Sequence, residues 1–177
     1  MRSTFFFLLA CSFLISAPVS AEVLAASREG FSLRIETSSA ARPELAYKAF
    51  VRIGEWWHPD HSYWGDAARM SLDVSPGGAF LEMGPDGAFV QHMQLVYANP
   101  GKEIRLLGGL GPLQPMGLHG ALTVQFAPRE GGGSAITMLY NVSGFAHTGL
   151  ESLAPIVDRV QAEQMQRHAS FADSLAR

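Results

Sequence analysis

Residues 153–175, LAPIVDRVQAEQMQRHASFADSL, are the stretch on which the fold turns. Leu153, Ile156, Val157, Val160, Gln164, His168, Phe171 and Leu175 recur at the spacing of one helix face. Arg159, Gln161, Glu163 and Arg167 fall mostly elsewhere. Pro155 fits only in the first turn, where its missing N–H would have no partner anyway. Thr148 and Glu151 have the spacing of a capping box, so the helix is expected to open near them. One apolar stripe of this length has to be covered, and the chain before it must supply the cover.

That chain reads mainly as β structure. Phe31, Leu33 and Ile35 alternate with Ser32, Arg34 and Glu36, the pattern of a half-buried strand. Pro43 then opens a helix carrying Leu45, Ala46, Ala49, Phe50 and Ile53 on one face. Gly54 interrupts it, and a second short helix or turn is expected to carry Trp56 and Trp57. Strands follow at Met70–Val74, Ala79–Met83 and Ala88–Tyr97, the last two joined by Gly84-Pro85-Asp86-Gly87, a hairpin signal. Glu103–Leu107, Gly120–Pro128 and Ser134–Val142 complete the set, and residues 108–117 read as a Gly- and Pro-rich loop. Leu122, Val124 and Phe126 share one face, as do Ile136, Met138, Tyr140 and Val142. The class is α+β: a curved antiparallel sheet gripping a long C-terminal helix, with two short helices after the first strand.

The N-terminus reads as a secretory signal over residues 1–21. Arg2 supplies the positive start, Phe5 to Ile15 the apolar run, and Pro18-Val19-Ser20-Ala21 the small residues before cleavage after Ala21. Leu8-Leu9-Ala10-Cys11 loosely matches a lipoprotein box, but the apolar run continues past it. Cleavage would remove Cys11, the sole cysteine, and leave residues 22–177 as one domain. Loss of Arg2 leaves 12 of the 13 basic side chains against 16 acidic ones, with no basic run. Nucleic acid is therefore not an expected partner, nor is stable membrane insertion once the signal is gone. The expected product is an exported, periplasmic monomer or weak homodimer.

Trp56-Trp57-His58-Pro59-Asp60-His61-Ser62-Tyr63-Trp64-Gly65-Asp66 holds all three tryptophans beside titratable groups, the composition of a small-molecule pocket. Core and cavity wall is the simpler role for the tryptophans themselves. His58, Asp60, His61 and Asp66 offer zinc-type ligands, with His92, His119 or His147 as a further one. Their spacing on a proline-containing loop matches no recognised zinc pattern, so neither metal nor cofactor is expected. For acid–base chemistry the candidates are His61, His92, Asp66 and Glu82. Glu82 and His92 sit on opposite arms of the hairpin, as cross-strand or diagonal neighbours, facing either the pocket or solvent on the outer face of the sheet, between which strand alternation does not choose.

The element order resembles the helix-grip fold of the START-like superfamily, also called the polyketide cyclase and lipid-transport (SRPBCC) superfamily. The bacterial branch similar to the activator of heat-shock ATPase domain is the nearest in pattern. Trp56-Trp57-His58-Pro59-Asp60-His61, Pro76-Gly77-Gly78-Ala79-Phe80, Gln91-His92-Met93 and Gly108-Gly109-Leu110-Gly111-Pro112-Leu113 carry the resemblance, which spans Phe31 to about Leu175. It implies an apolar cavity between sheet and long helix, but no single reaction. Export departs from that branch, whose chaperone partner is cytosolic, so no co-chaperone role is expected. The expected ligand is a hydrophobic or aromatic small molecule contacted by Trp56, Trp57, His61, Trp64, His92, Met138 and Tyr140. A cyclase- or lyase-like enzyme using a pocket histidine is the first alternative. A protein-interaction module with a filled core is the second.

Overall fold

The computed structural model describes residues 19–177. The apolar run Phe5–Ile15 and Cys11, on which the export reading rests, lie outside them. Strands β1 (Ser20–Ala26) and β2 (Gly30–Ser39) lead into helix α1 (Pro43–Val51). Then come β3 (Met70–Leu72), β4 (Ala79–Met83), β5 (Phe89–Asn99), β6 (Glu103–Gly108), β7 (His119–Pro128) and β8 (Ser134–Ser143). Helix α2 (Ala154–Leu175) closes the chain. The eight strands form one antiparallel sheet in the order β1-β2-β8-β7-β6-β5-β4-β3. Among the described residues no helix is long and apolar enough to cross a membrane.

The alternation in β2, β7 and β8 sets the core face. Leu33 and Ile35, Leu122, Val124 and Phe126, and Ile136, Met138, Tyr140 and Val142 are all buried. β8 lies between β2 and β7, so these side chains form one continuous apolar floor under α2. In α1, Pro43 stands at the first helical position, Glu44 in the first turn and Lys48 in the last, matching the helix dipole. Its Ala46, Tyr47, Ala49 and Phe50 turn inward.

Three local outcomes differ from the sequence reading. The second short helix is a series of single 3₁₀ turns, Ile53–Glu55, Pro59–His61 and Ala67–Arg69, each too short to propagate as an α-helix. β1 was not anticipated, because both its faces are exposed and no alternation marks it. The capping box does not form: α2 starts at Ala154, with Pro155 in its first turn and no side-chain cap.

The buried face of α2 is also rotated from the apolar stripe. Ala154, Gln161, Gln164, Met165, His168, Ala169 and Ala172 are buried, whereas Ile156 is 55% exposed. Three alanines let the helix axis approach the sheet, and the bulkier residues fall to its flank. The His168 Nε2–H donates to the Ala46 carbonyl at 2.9 Å, and its ring packs edge-on against Phe50 and Trp56.

Candidate functional site

The local register of the β4–β5 hairpin decides where the site's central group points. Phe80 pairs with Met93 and Leu81 with Gln91, so His92 is an extra residue in β5. A bulge of this kind breaks the alternation. His92 and Met93, consecutive in sequence, both turn into the core. Glu82 on β4 is 0% exposed and His92 2%. Their side chains meet at 3.2 Å between Glu82 Oε2 and His92 Nε2.

The carboxyl group of Glu82 is fully engaged. Its Oε2 also accepts the Tyr63 N–H, and its Oε1 accepts the Trp64 N–H, both at 3.1 Å. With the carboxyl group acting as acceptor throughout, the imidazole proton belongs on Nε2 and Nδ1 carries a bare lone pair. That Nδ1 is buried and has no hydrogen-bond partner among the described residues. Burial holds the His92 pKa below its ordinary value, and the hydrogen bond and charge of Glu82 oppose that effect.

His92 borders a cavity of about 550 Å³ between the sheet, the loop after β6 and α2. Trp57, Leu110, Leu113, Val157 and Val160 give it apolar walls. Tyr140 reaches it from β8 and Gln161 from α2, while Asp60, His61, Ser62 and Tyr63 border it from the tryptophan loop. The Tyr140 hydroxyl accepts the Leu110 N–H at 3.4 Å and keeps its own proton to donate. Burial pushes its pKa up to about 12, so it stays neutral at any physiological pH. Gln161 is buried, and its Oε1 has no partner among the described residues.

The tryptophan loop is held against α2. Gln164 Oε1 accepts the His58 N–H at 2.9 Å, and Arg167 Nε donates to the Trp56 carbonyl at 2.7 Å. His58 and His61 each place Nε2 at 3.5 Å from one oxygen of Glu163. Trp57 Nε1–H donates to the His61 carbonyl at 2.9 Å, which satisfies the indole and leaves its ring face apolar. Across the loop, the Tyr63 hydroxyl donates to the Gly111 carbonyl at 3.2 Å.

Of the expected ligand contacts, Trp57, His61, His92 and Tyr140 border the cavity. Trp56, Trp64 and Met138 do not. Trp56 is sealed in the core, its indole N–H donated to the Ala49 carbonyl at 3.0 Å. Trp64 lies over the hairpin turn, where a Cβ on Gly84 would stand 2.3 Å from its ring. Met138 borders only a void of about 10 Å³ beneath the main cavity. Asp66 is exposed and caps the turn Ala67–Arg69, its Oδ1 accepting the Ala68 N–H at 3.0 Å. Glu82 stands behind His92 rather than in the cavity wall. Gln161, Leu110 and Leu113 also border the cavity and are not among the ligand contacts expected from the sequence. The clue for the last two was the apolar pair inside a Gly- and Pro-rich loop.

A second concavity, of about 540 Å³, is lined in part by Ser32, Ala121 and Asn141, which alternate with the core residues Leu33, Leu122 and Tyr140. Ser32 Oγ and Asn141 Oδ1 satisfy each other at 2.7 Å, and no unpartnered buried side chain borders this concavity. Among the described residues no group of three or more His, Cys, Asp or Glu side chains is arranged to hold a metal ion.

No protein-family model and no curated protein matches the chain. Solved structures do. An uncharacterised protein from Rhizobium leguminosarum is 18% identical, covering 89% of this chain and 99% of its own, with a TM-score of 0.54. A protein of unknown function from Staphylococcus aureus is 15% identical, covering 84% and 96%, with a TM-score of 0.55. The di-domain ARO/CYC StfQ from the steffimycin biosynthetic pathway is 15% identical. It covers 84% of this chain, which spans 53% of StfQ, with a TM-score of 0.56. At such identities the likeness is one of fold: the helix-grip architecture that the sequence resembles is the architecture present.

Proposed function

We propose that this chain binds one small hydrophobic or aromatic molecule in the cavity between its sheet and α2. The observation that carries this reading is the cavity itself. Its volume of about 550 Å³ lies within the roughly 300–1,000 Å³ of small-molecule sites, and its walls are mostly apolar with a few convergent polar groups. Native mass spectrometry of the purified protein tests it, with the denatured mass recorded alongside. An organic adduct on the native protein is the expected result. Equal native and denatured masses, persisting after exposure to a series of neutral ring compounds, would contradict it.

Export as a monomer or weak dimer belongs to the same proposal and rests on Arg2, the run Phe5–Ile15 and the small residues ending at Ala21. Cleavage there would take the first two residues from β1 and leave Glu22, paired with Arg34, as its start. A denatured mass equal to residues 22–177 is the expected finding.

The Glu82–His92 pair favours a second reading, acid–base catalysis on the bound molecule. A carboxyl group fixing one ring nitrogen while the other is left bare is the arrangement of an oriented general base. Deuterium uptake from solvent into 2-tetralone, a bicyclic ketone with acidic C–H bonds, is the direct probe. Uptake that vanishes on replacing His92 supports catalysis. Binding without uptake supports a carrier.

A further inference from the structure

We propose that residues 111–117 are a lid on the cavity, turning on Gly111 and Gly117 and latched shut by the side chains of Tyr63 and Gln114. This rests on the cavity being a binding site and goes further by assigning the route by which a ligand enters and leaves. The segment, GPLQPMG, lies between two buried anchors. On one side the Leu110 N–H is bonded to the Tyr140 hydroxyl, and on the other Leu118 packs beside Gly144. Just inside these anchors stand Gly111, with φ of 57°, and Gly117, with φ of 71°. A Cβ at either position would meet nothing within 4 Å. Packing therefore does not demand these glycines; the left-handed backbone does, which glycine adopts at no steric cost.

Between its pivots the segment is a unit of its own. The Leu113 N–H donates to the Leu110 carbonyl, Gln114 to Gly111 and Gly117 to Gln114, and none of these bonds reaches the sheet. Two side-chain hydrogen bonds tie the unit to its surroundings. From the tryptophan loop the Tyr63 hydroxyl donates to the Gly111 carbonyl at 3.2 Å, and Gln114 Nε2 donates to the Gln91 carbonyl of β5 at 2.6 Å. Tyr63, Gln91 and Gln114 are all exposed, so both bonds lie where water can replace them. On the inner side Leu113 is buried and borders the cavity together with Pro115 and Met116. Opening thus costs two exposed hydrogen bonds and the cover of one leucine. The other walls belong to the sheet, to α2 and to the tryptophan loop, which Gln164 and Arg167 fasten to α2. Residues 111–117 are the wall that yields first.

The test follows N-phenyl-1-naphthylamine binding to the full chain by stopped-flow fluorescence. It compares the unaltered protein, Gln114→Leu, and Gln114→Leu combined with Tyr63→Phe. Gln114 does not border the cavity, and its bond closes the lid before any ligand arrives. Its loss should raise the association and dissociation rates together, each about threefold or more, while Kd stays within about twofold. The double variant should raise both rates about tenfold or more. Rates equal to those of the unaltered protein would overturn the lid while leaving the cavity a binding site. A lower Tm with unchanged rates would assign the two bonds to stability alone, with the same consequence. Faster dissociation with unchanged association would mean that the latch does not close the free protein, and would also overturn the proposal. If the probe binds saturably to none of the three proteins, the binding reading fails and the lid fails with it.

Discussion

His92 and Glu82 meet at 3.2 Å inside the sheet although the β4–β5 register sets Glu82 opposite Val90 and gives His92 no partner. The bulge at His92 brings the ring to the carboxyl group and frees Nδ1. A buried carboxyl group is costly unless its hydrogen bonds are met, and the His92 ring and the Tyr63 and Trp64 backbone meet those of Glu82.

Glu82→Gln keeps the side chain's shape but removes the charge that opposes the effect of burial on His92. The His92 pKa is therefore expected to fall further below its ordinary value. An NMR titration of the His92 Cε1–H should show a lower midpoint in the variant, and a higher one would refute this electrostatic relation. Tyr63 and Trp64 would also compete for the single remaining oxygen, costing ~1–3 kcal/mol of stability.

Stability should fall in acid through His168. Burial lowers its pKa from 6.5 to about 4, against the raising effects of the Ala46 hydrogen bond and the Asp173 charge. Between these values the unfolded chain takes up a proton that the folded chain resists. The contribution is therefore complete above pH 6.5 and lost as pH falls toward 4, amounting to roughly 3 kcal/mol. His92, also lowered, acts in the same direction. Urea unfolding at pH 7 and pH 4.5 measures the difference, and His168→Leu should flatten it. An unchanged pH dependence in that variant would exclude His168 as the source.

Gln161 offers a test with the opposite sign. Its Oε1 has no partner among the described residues, so Gln161→Leu removes a buried polar atom without stranding another. Stability is expected to rise, by ~1 kcal/mol. Thermal melts of the free protein decide it. A lower Tm would mean that the amide makes a stabilising contact.

Gly84 should tolerate no side chain. The Trp64 ring occupies the position of a Cβ, and Gly84→Ala must displace the indole or the hairpin turn at a cost of ~1–3 kcal/mol. Trp64 is half-buried, so its displacement should also shift tryptophan emission to the red. Unaltered emission and stability would show that the turn moves freely.

The sheet was legible in the sequence wherever one face is buried and the other is not. Leu122 to Phe126 and Ile136 to Val142 announce both their strands and their inward faces. β1 gave no such sign because neither face is covered. The existence of α2 was readable but its rotation was not. Its closest contact uses small alanines and two glutamines, of which Gln164 is paired with the His58 backbone, a tertiary partner that periodicity does not encode. The Glu82–His92 encounter was readable as a diagonal neighbourhood. Its burial was not, because a one-residue bulge overrides alternation. Of the three tryptophans in the loop only Trp57 borders the cavity, because Trp56 is drawn into the core and Trp64 onto the hairpin turn, placements that composition does not encode.

Titration of the neutral fluorescent probe N-phenyl-1-naphthylamine into the protein and into Val160→Trp tests the central claim most directly. Val160 borders the cavity from α2, and an indole there would occupy its volume without touching Glu82 or His92. The expected result is saturable one-to-one binding to the unaltered protein. Binding should weaken about tenfold or more in the variant while its circular dichroism and Tm are kept. Equal binding to both proteins, or no saturable binding to either, would contradict the cavity as the site of function.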